Sequence, residues 1–370
     1  MTSFQRLRLL PLSLTLATAL GAAVCLSGCP SGQQEPIRVS VQSGNGAEAH
    51  TTAEIVELAR AEGELLWYTS LAEGDAQALL SAFSRKYPFI RTRLVRGGSF
   101  TVAEKLASEL ASGQVEADAL HLIDPATFVQ LREQGALLFY DSPEAKEIPT
   151  QYQDQGYWVA MRAVTVGMAY NPTRLVAAEA PRGWQDLLQA RFQGKIGLKD
   201  AETAGAGYAL LFLLRERFGT DFWQRLGAQH PKTYKTESQM EDALARGEIA
   251  VAAGVLGGSR EGGPAAARLT VVWPAEGVPM TIGPVAILAA APHPNCARLF
   301  LDYLLSQEGQ QLVVDRLEAY SVRPGLAPPK GRLPLSKLRL ITPAAGWTDY
   351  ASKRDLLRSE FSELMGPGGE

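Results

Sequence analysis

Cysteine is scarce in this sequence. Its 370 residues hold three, Cys25, Cys29 and Cys296, and only four histidines, His50, His121, His230 and His293. So few soft donors, so widely spaced, exclude a structural Cys/His metal cluster. Basic residues are not in excess either: the formal net charge is −3. A nucleic-acid partner would call for a basic stripe, and none is present. The sequence carries no G-x-S-x-G elbow, no Walker A loop and no H-E-x-x-H pair. Gly257-Gly258-Ser259-Arg260 has the wrong spacing for an elbow, and the scattered histidines suggest no Ser/His/Asp arrangement. No catalytic residue, cofactor or resident metal is expected.

What is present begins with a leader. Arg6 and Arg8 precede an apolar run from Leu9 to Leu26, which closes on Leu26-Ser27-Gly28-Cys29. This is the layout of a secretory signal over residues 1–28. The run is long enough to cross a bilayer, but small residues just before Cys29 favour cleavage. Leu-Ser-Gly-Cys resembles the lipobox of bacterial lipoproteins, which implies an acylated Cys29 and anchorage in the bilayer through several acyl chains. With Cys25 lost and Cys29 lipidated, Cys296 stands alone and no disulfide remains possible. Residues 29–52, rich in Ser, Gly, Gln and Asn, read as a flexible tether.

Beyond the tether, short apolar strands alternate with amphipathic helices. Strand Leu65–Tyr68 precedes a helix with Ala76, Leu79, Leu80, Phe83 and Tyr87 on one face. Strand Ile90–Val95 leads through Gly97-Gly98-Ser99 to a helix with Val102, Leu106 and Leu110, and strand Ala119–Ile123 runs into Asp124-Pro125, a cap followed by a first-turn proline. The order βαβαβα argues for an α/β fold with mostly parallel sheets. The same grammar recurs in the middle of the chain. Two long apolar strands, Ala163–Tyr170 and Ile282–Ala289, are expected to cross between two lobes and act as hinges around a cleft. The boundaries expected are 53–163 with 288–350 for the first lobe, 164–287 for the second, and 351–370 for a carboxyl-terminal helix and tail.

In open parallel sheets, ligands bind beyond the carboxyl ends of strands, where helix amino termini present free N–H groups. Thr69 and Ser70 hold that place after the first strand, Arg96, Gly98 and Ser99 after the second, and Asp124 after the third. Thr203, Ala204 and Gly205 hold it in the second lobe, and Glu276 follows a further strand there. Singly, each hydroxyl or carboxylate suits a helix cap or turn as well as a ligand. Their shared edge gives the binding reading its weight.

The stretches "LLWYTSL", "DALHLIDPATF", "GYWVAMRAVTVGMAYNP", "PRGWQDLLQARFQGKIGLKD", "WPAEGVP" and "LFLDYLLSQEGQQL", in this order, resemble the bacterial extracellular solute-binding proteins of the ferric-iron, thiamine and phosphonate group. The resemblance covers roughly residues 60–345. It implies a two-lobed type II periplasmic-binding fold, a monomer on the periplasmic or extracytoplasmic side, and delivery of one small solute to an ABC permease. Ferric-binding members place adjacent tyrosines where this chain has Val255-Leu256-Gly257-Gly258. The favoured solute is therefore a small organic anion bearing phosphate, phosphonate or carboxylate, with Fe(III) as the alternative and a secreted enzyme on the same fold as the least favoured reading. An amine on that solute would pair with Glu276 or Asp124.

Overall fold

The computed structural model describes residues 52–256 and 269–365. The expected leader, the tether up to residue 51, Cys29 and the last residues of the tail lie outside them, and Thr52, expected to end the tether, begins a helix. Helix α1 (Thr52–Glu62) is followed by β1 (Glu64–Thr69), whose last five residues are all buried, as its unbroken apolar run requires. In α2 (Glu73–Lys86), Ala76, Leu79, Leu80 and Phe83 are buried at helical spacing. Its acidic first turn and basic last turn both match the helix dipole.

Strand β2 (Arg91–Arg96) leads to α3 (Ser99–Ser112), which ends at Gly113 with φ +68°, a left-handed cap that glycine adopts without a Cβ penalty. Strand β3 (Ala119–His121) is followed by α4 (Pro125–Glu133), with Asp124 at the cap and proline in the first turn. A two-residue strand, β4 (Gln153–Asp154), precedes the thirteen-residue β5 (Trp158–Tyr170), every position of which is buried. Next come β6 (Ile196–Lys199), α5 (Gly205–Gly227, broken at Gly219), β7 (Lys232–Tyr234), α6 (Glu237–Arg246), β8 (Val251–Leu256) and β9 (Thr270–Val272). The chain continues through β10 (Val278–Ile287), α7 (Pro294–Leu305), α8 (Gln307–Asp315), β11 (Leu340–Ile341), α9 (Gly346–Ser352) and α10 (Arg354–Met365).

The strands join in the order β2-β1-β3-β10-β5-β8-β6-β7. Both flanks are parallel, as the alternating grammar demands: β1 pairs with β2 and β3, and β6 with β7 and β8. The middle is antiparallel. There β10 pairs with β3 and β5, and β5 pairs with β8 and β9. The sheet is thus mixed, with most parallel pairing in its wings and a short parallel pair of β10 with β11 besides.

The two long strands carry the architecture. The first half of β5 pairs with β10 up to Thr165, and from Val166 onward it pairs with β8. Two cores follow this division. One gathers Trp67, Phe83 and Phe300, with Phe300 edge-on to both other rings at 5.0 Å, together with Met161, Ile282 and Leu304. The other gathers Val166, Trp184, Tyr208, Phe212 and Trp223. Tyr350, Leu357 and Phe361 of the carboxyl-terminal helices pack into this second core.

Candidate functional site

At the carboxyl edges of β1, β2 and β6 lies a cavity of about 170 Å³. Ser70, Arg96, Gly98, Ser99, Thr203, Ala204 and Gly205 all line it, brought together from both wings of the sheet. Four helices point their amino termini into it: Ala72, Gly98, Ala204 and Thr236 are the caps of α2, α3, α5 and α6, and each lines the wall. At the first three, the cap residue is alanine or glycine and offers no side-chain acceptor to the terminal N–H groups. Such termini carry partial positive charge and donors that an anion satisfies.

Close backbone approach between the walls explains the small residues. A Cβ on Gly205 would stand 1.8 Å from the Ile123 carbonyl oxygen, so only glycine lets the start of α5 meet the end of β3. Gly98 faces the Thr203 carbonyl oxygen. The loop before α5 is held by Asp200, whose carboxylate accepts from the Glu202 amide and the Thr203 hydroxyl, both at 2.8 Å. Thr203's hydroxyl proton is thereby committed, which leaves its backbone for a ligand. Ser70 is arranged the opposite way. Its Oγ accepts from the Ile123 amide at 3.2 Å, which keeps its own proton available to donate into the cavity.

Three expected residues do not reach the cavity. Thr69 is fully buried, its Oγ1 2.9 Å from His121 Nδ1 and accepting from the Leu71 amide, so it closes the turn beneath the site. Asp124, also fully buried, accepts from Thr127 Oγ1 at 2.5 Å and from Arg354 at 3.0 Å. Burial raises its carboxyl pKa, and Arg354 and Thr127 oppose the rise. Glu276 accepts from the amides of Trp184 and Gln185 at 2.9 and 3.2 Å and caps the short 3-10 turn Trp184–Leu188. Neither carboxylate expected to meet a ligand amine lines the cavity: Glu276 holds the amides of the Trp184 turn, and one oxygen of Asp124 is taken by Thr127 and Arg354.

Several residues went unnoticed in the sequence. Arg162, Lys199 and Lys235 join Arg96 in the lining, together with the two carboxylates Asp75 and Glu237. Arg162 and Lys199 are nearly buried. Arg162 is the one charge in the thirteen-residue strand β5, an anomaly that could have flagged it. Lys199 ends β6 and meets the same strand-end rule that picked out Ser70. Lys199 Nζ donates to the Lys235 carbonyl at 3.1 Å, and Gly254, at φ +98°, leaves room for the lysine stem. Glu237 receives the Leu256 amide at 2.9 Å. Beneath Arg162, fully buried His121 has its pKa lowered well below normal by burial and by the nearby guanidinium, so it is neutral at physiological pH.

Helix termini and buried cations from both wings thus converge on one cavity. Residues 119–333 match the family described as bacterial extracellular solute-binding protein, and the chain belongs to that family. A probable ABC transporter periplasmic-binding protein of Sinorhizobium fredii is 27% identical over 64% of this chain and 66% of its own. A putative 2-aminoethylphosphonate-binding periplasmic protein of Salmonella typhimurium is 25% identical over 72% of this chain and 77% of its own. The fold superposes on the periplasmic binding protein AfuA of Actinobacillus pleuropneumoniae, solved with fructose-6-phosphate, at TM-score 0.73 and 25% identity, covering 82% of this chain and 98% of that one. An Fe(3+)-binding periplasmic protein of Serratia marcescens is also related, at 22% identity over 76% of this chain and 86% of its own. The fold is the two-lobed type II periplasmic-binding fold.

Proposed function

We propose that this protein is the substrate-binding component of an ABC importer and captures a small organic anion, phosphorylated, phosphonate-bearing or carboxylated, between its two lobes. The observation that carries the reading is the convergence of four helix amino termini with Arg96, Arg162, Lys199 and Lys235 on one cavity. A buried cation hydrogen-bonded to an anion contributes about 1.5–3 kcal/mol, and each open helix terminus about 0.3–1 kcal/mol. The relatives named for 2-aminoethylphosphonate and solved with fructose-6-phosphate favour the same chemistry. The solute is small, since the cavity lies below the roughly 300–1,000 Å³ common for drug-sized ligands.

The lobes in this reading are residues 53–163 with the chain returning after β10, and 164–287, with β5 and β10 as hinges. Most of the first core falls in the first of these lobes, and the second core joins residues of 164–287 to Tyr350, Leu357 and Phe361 and also to Phe100, Ala126 and Val129. Acylated Cys29 tethers a monomer to the membrane on the periplasmic face, within reach of its permease. The protein performs no covalent chemistry on its solute. Ferric iron is the poorer fit. Among the described residues no tyrosine or histidine lines the cavity, and no group of three His, Cys, Asp or Glu could hold a metal ion.

The test is a thermal-shift screen with phosphate esters, phosphonates, carboxylates and ferric citrate. A ligand at 100 times its Kd stabilises the folded state by about 2.7 kcal/mol. An organic anion should raise Tm. A shift confined to ferric citrate, with a phenolate-to-iron absorption band, would overturn the reading.

A further inference from the structure

The carboxyl-terminal helices are anchored on one side of the cleft and reach the other. Tyr350 of α9 stacks near Tyr208 and Phe212 of α5, at ring distances of 4.6 and 4.9 Å, and accepts the Tyr208 hydroxyl on its carbonyl at 2.6 Å. Leu357 and Phe361 of α10 are buried in the same core, and Glu360 pairs with Arg215 of α5. The first turn of α10 faces elsewhere. Arg354 donates to Asp124, Thr127 and Gln130 at the start of α4, at 3.0, 3.2 and 2.5 Å. Arg358 donates to the Glu202 carbonyl at 2.5 Å, and its guanidinium lies 4.5 Å from the centre of the Phe100 ring in α3.

These partners stand beside the cavity walls. Asp124 directly follows Ile123, whose carbonyl meets Gly205, and Glu202 directly precedes Thr203, Ala204 and Gly205. One helical turn thus grips the outer side of both walls, opposite the anion site. Next to it lies a second cavity of about 200 Å³, bordered by Phe100, Leu106, Leu110, Gln134 and the two arginines. It gives the guanidinium groups space to swing when the walls part.

We propose that the first turn of α10 is a strap across the back of the cleft, with Arg354 and Arg358 as positioning residues that hold the β3–α4 and β6–α5 junctions in register. Neither touches the solute. Their effect on solute affinity rests on the receptor reading given above, but the strap itself is tested without any ligand. Breaking it removes the polar ties between the two junctions and leaves the packing of Phe100, Ala126 and Val129 in the second core to hold them.

The experiment is hydrogen exchange with small-angle scattering on the full, unliganded chain. In Arg354→Ala/Arg358→Ala, exchange at residues 123–128 and 203–208 should rise at least about tenfold, and the radius of gyration should increase. Strands β1 and β6 should keep their protection. Leu357→Ala is the control: it loosens α10 from α5 yet keeps both arginines, so exchange should rise within α10 and not at the two junctions. Should the double variant fail to fold, Gln130→Ala and Arg358→Lys give the graded form of the same pattern. Uniform acceleration in the arginine variants, or the same profile in Leu357→Ala, would overturn the strap and leave the receptor reading intact.

Discussion

Gly205 and the carbonyl oxygen of Ile123 meet where the two cavity walls touch: a Cβ at 205 would stand 1.8 Å from that oxygen. Both sides of this contact are backbone, so neither yields by rotating a side chain. Gly205→Ala should push the start of α5 away from β3 and weaken solute binding by at least about tenfold, a loss of about 1.4 kcal/mol. Gly98→Ala is the natural comparison, because its Cβ would lie 3.6 Å from the Thr203 oxygen, an ordinary contact. Titration calorimetry should separate the two variants, and equal affinities would contradict the close approach.

Arg162 and Lys199 should dominate anion affinity, because both are buried beside the cavity while Arg96 lies open to solvent. Water and salt screen an exposed charge and leave a buried one strong. Arg162→Gln or Lys199→Met should weaken binding of an anionic solute by about 1.5–3 kcal/mol. Arg96→Gln should cost less, and its effect should fade as salt is added. Calorimetry at two ionic strengths checks this order.

Glu276→Ala should lower stability and leave affinity unchanged. Its carboxylate holds two amides of the Trp184 turn and lies outside the cavity. Loss of such a cap costs about 0.5–2 kcal/mol. A thermal melt shows the loss, and a changed Kd with unchanged Tm would restore Glu276 to the ligand.

Asp302 makes stability depend on pH. It accepts from Tyr140 and Ser142 at 2.7 and 2.6 Å, yet burial dominates and pushes its carboxyl up to about 6. The folded state therefore holds this proton more tightly than the unfolded chain. Through this group the fold gains stability as pH falls through 6 towards about 4, by roughly 2–3 kcal/mol in all. Denaturant melts should show wild-type stability rising relative to Asp302→Asn between pH 7 and 5. A fall over that range would contradict the assignment.

Much of the fold was legible because period and turn chemistry are local. The run before Thr69, the spacing of Ala76, Leu79, Leu80 and Phe83, and Asp124-Pro125 each specify an element with no help from distant residues. Antiparallel pairing of β5 with β10 and β8 was not legible, since a fully buried strand reads alike in either sense. Strand-end logic pointed to Ser70, Ser99 and Gly205, which line the cavity by their position at strand ends and helix starts. It also picked Glu276 and Asp124, which lie outside the cavity lining, because carboxylates with structural partners occupy the same kind of junction as those that bind ligands. It passed over Arg162, which enters the cavity from mid-strand where that logic does not look.

The most direct test of the receptor account is native mass spectrometry of the protein purified from its own envelope without refolding. The account predicts one small organic anion per chain, released on denaturation and absent from Arg162→Gln and Lys199→Met. Retention of the same molecule by both variants, or a bound iron atom in place of an organic anion, would contradict it.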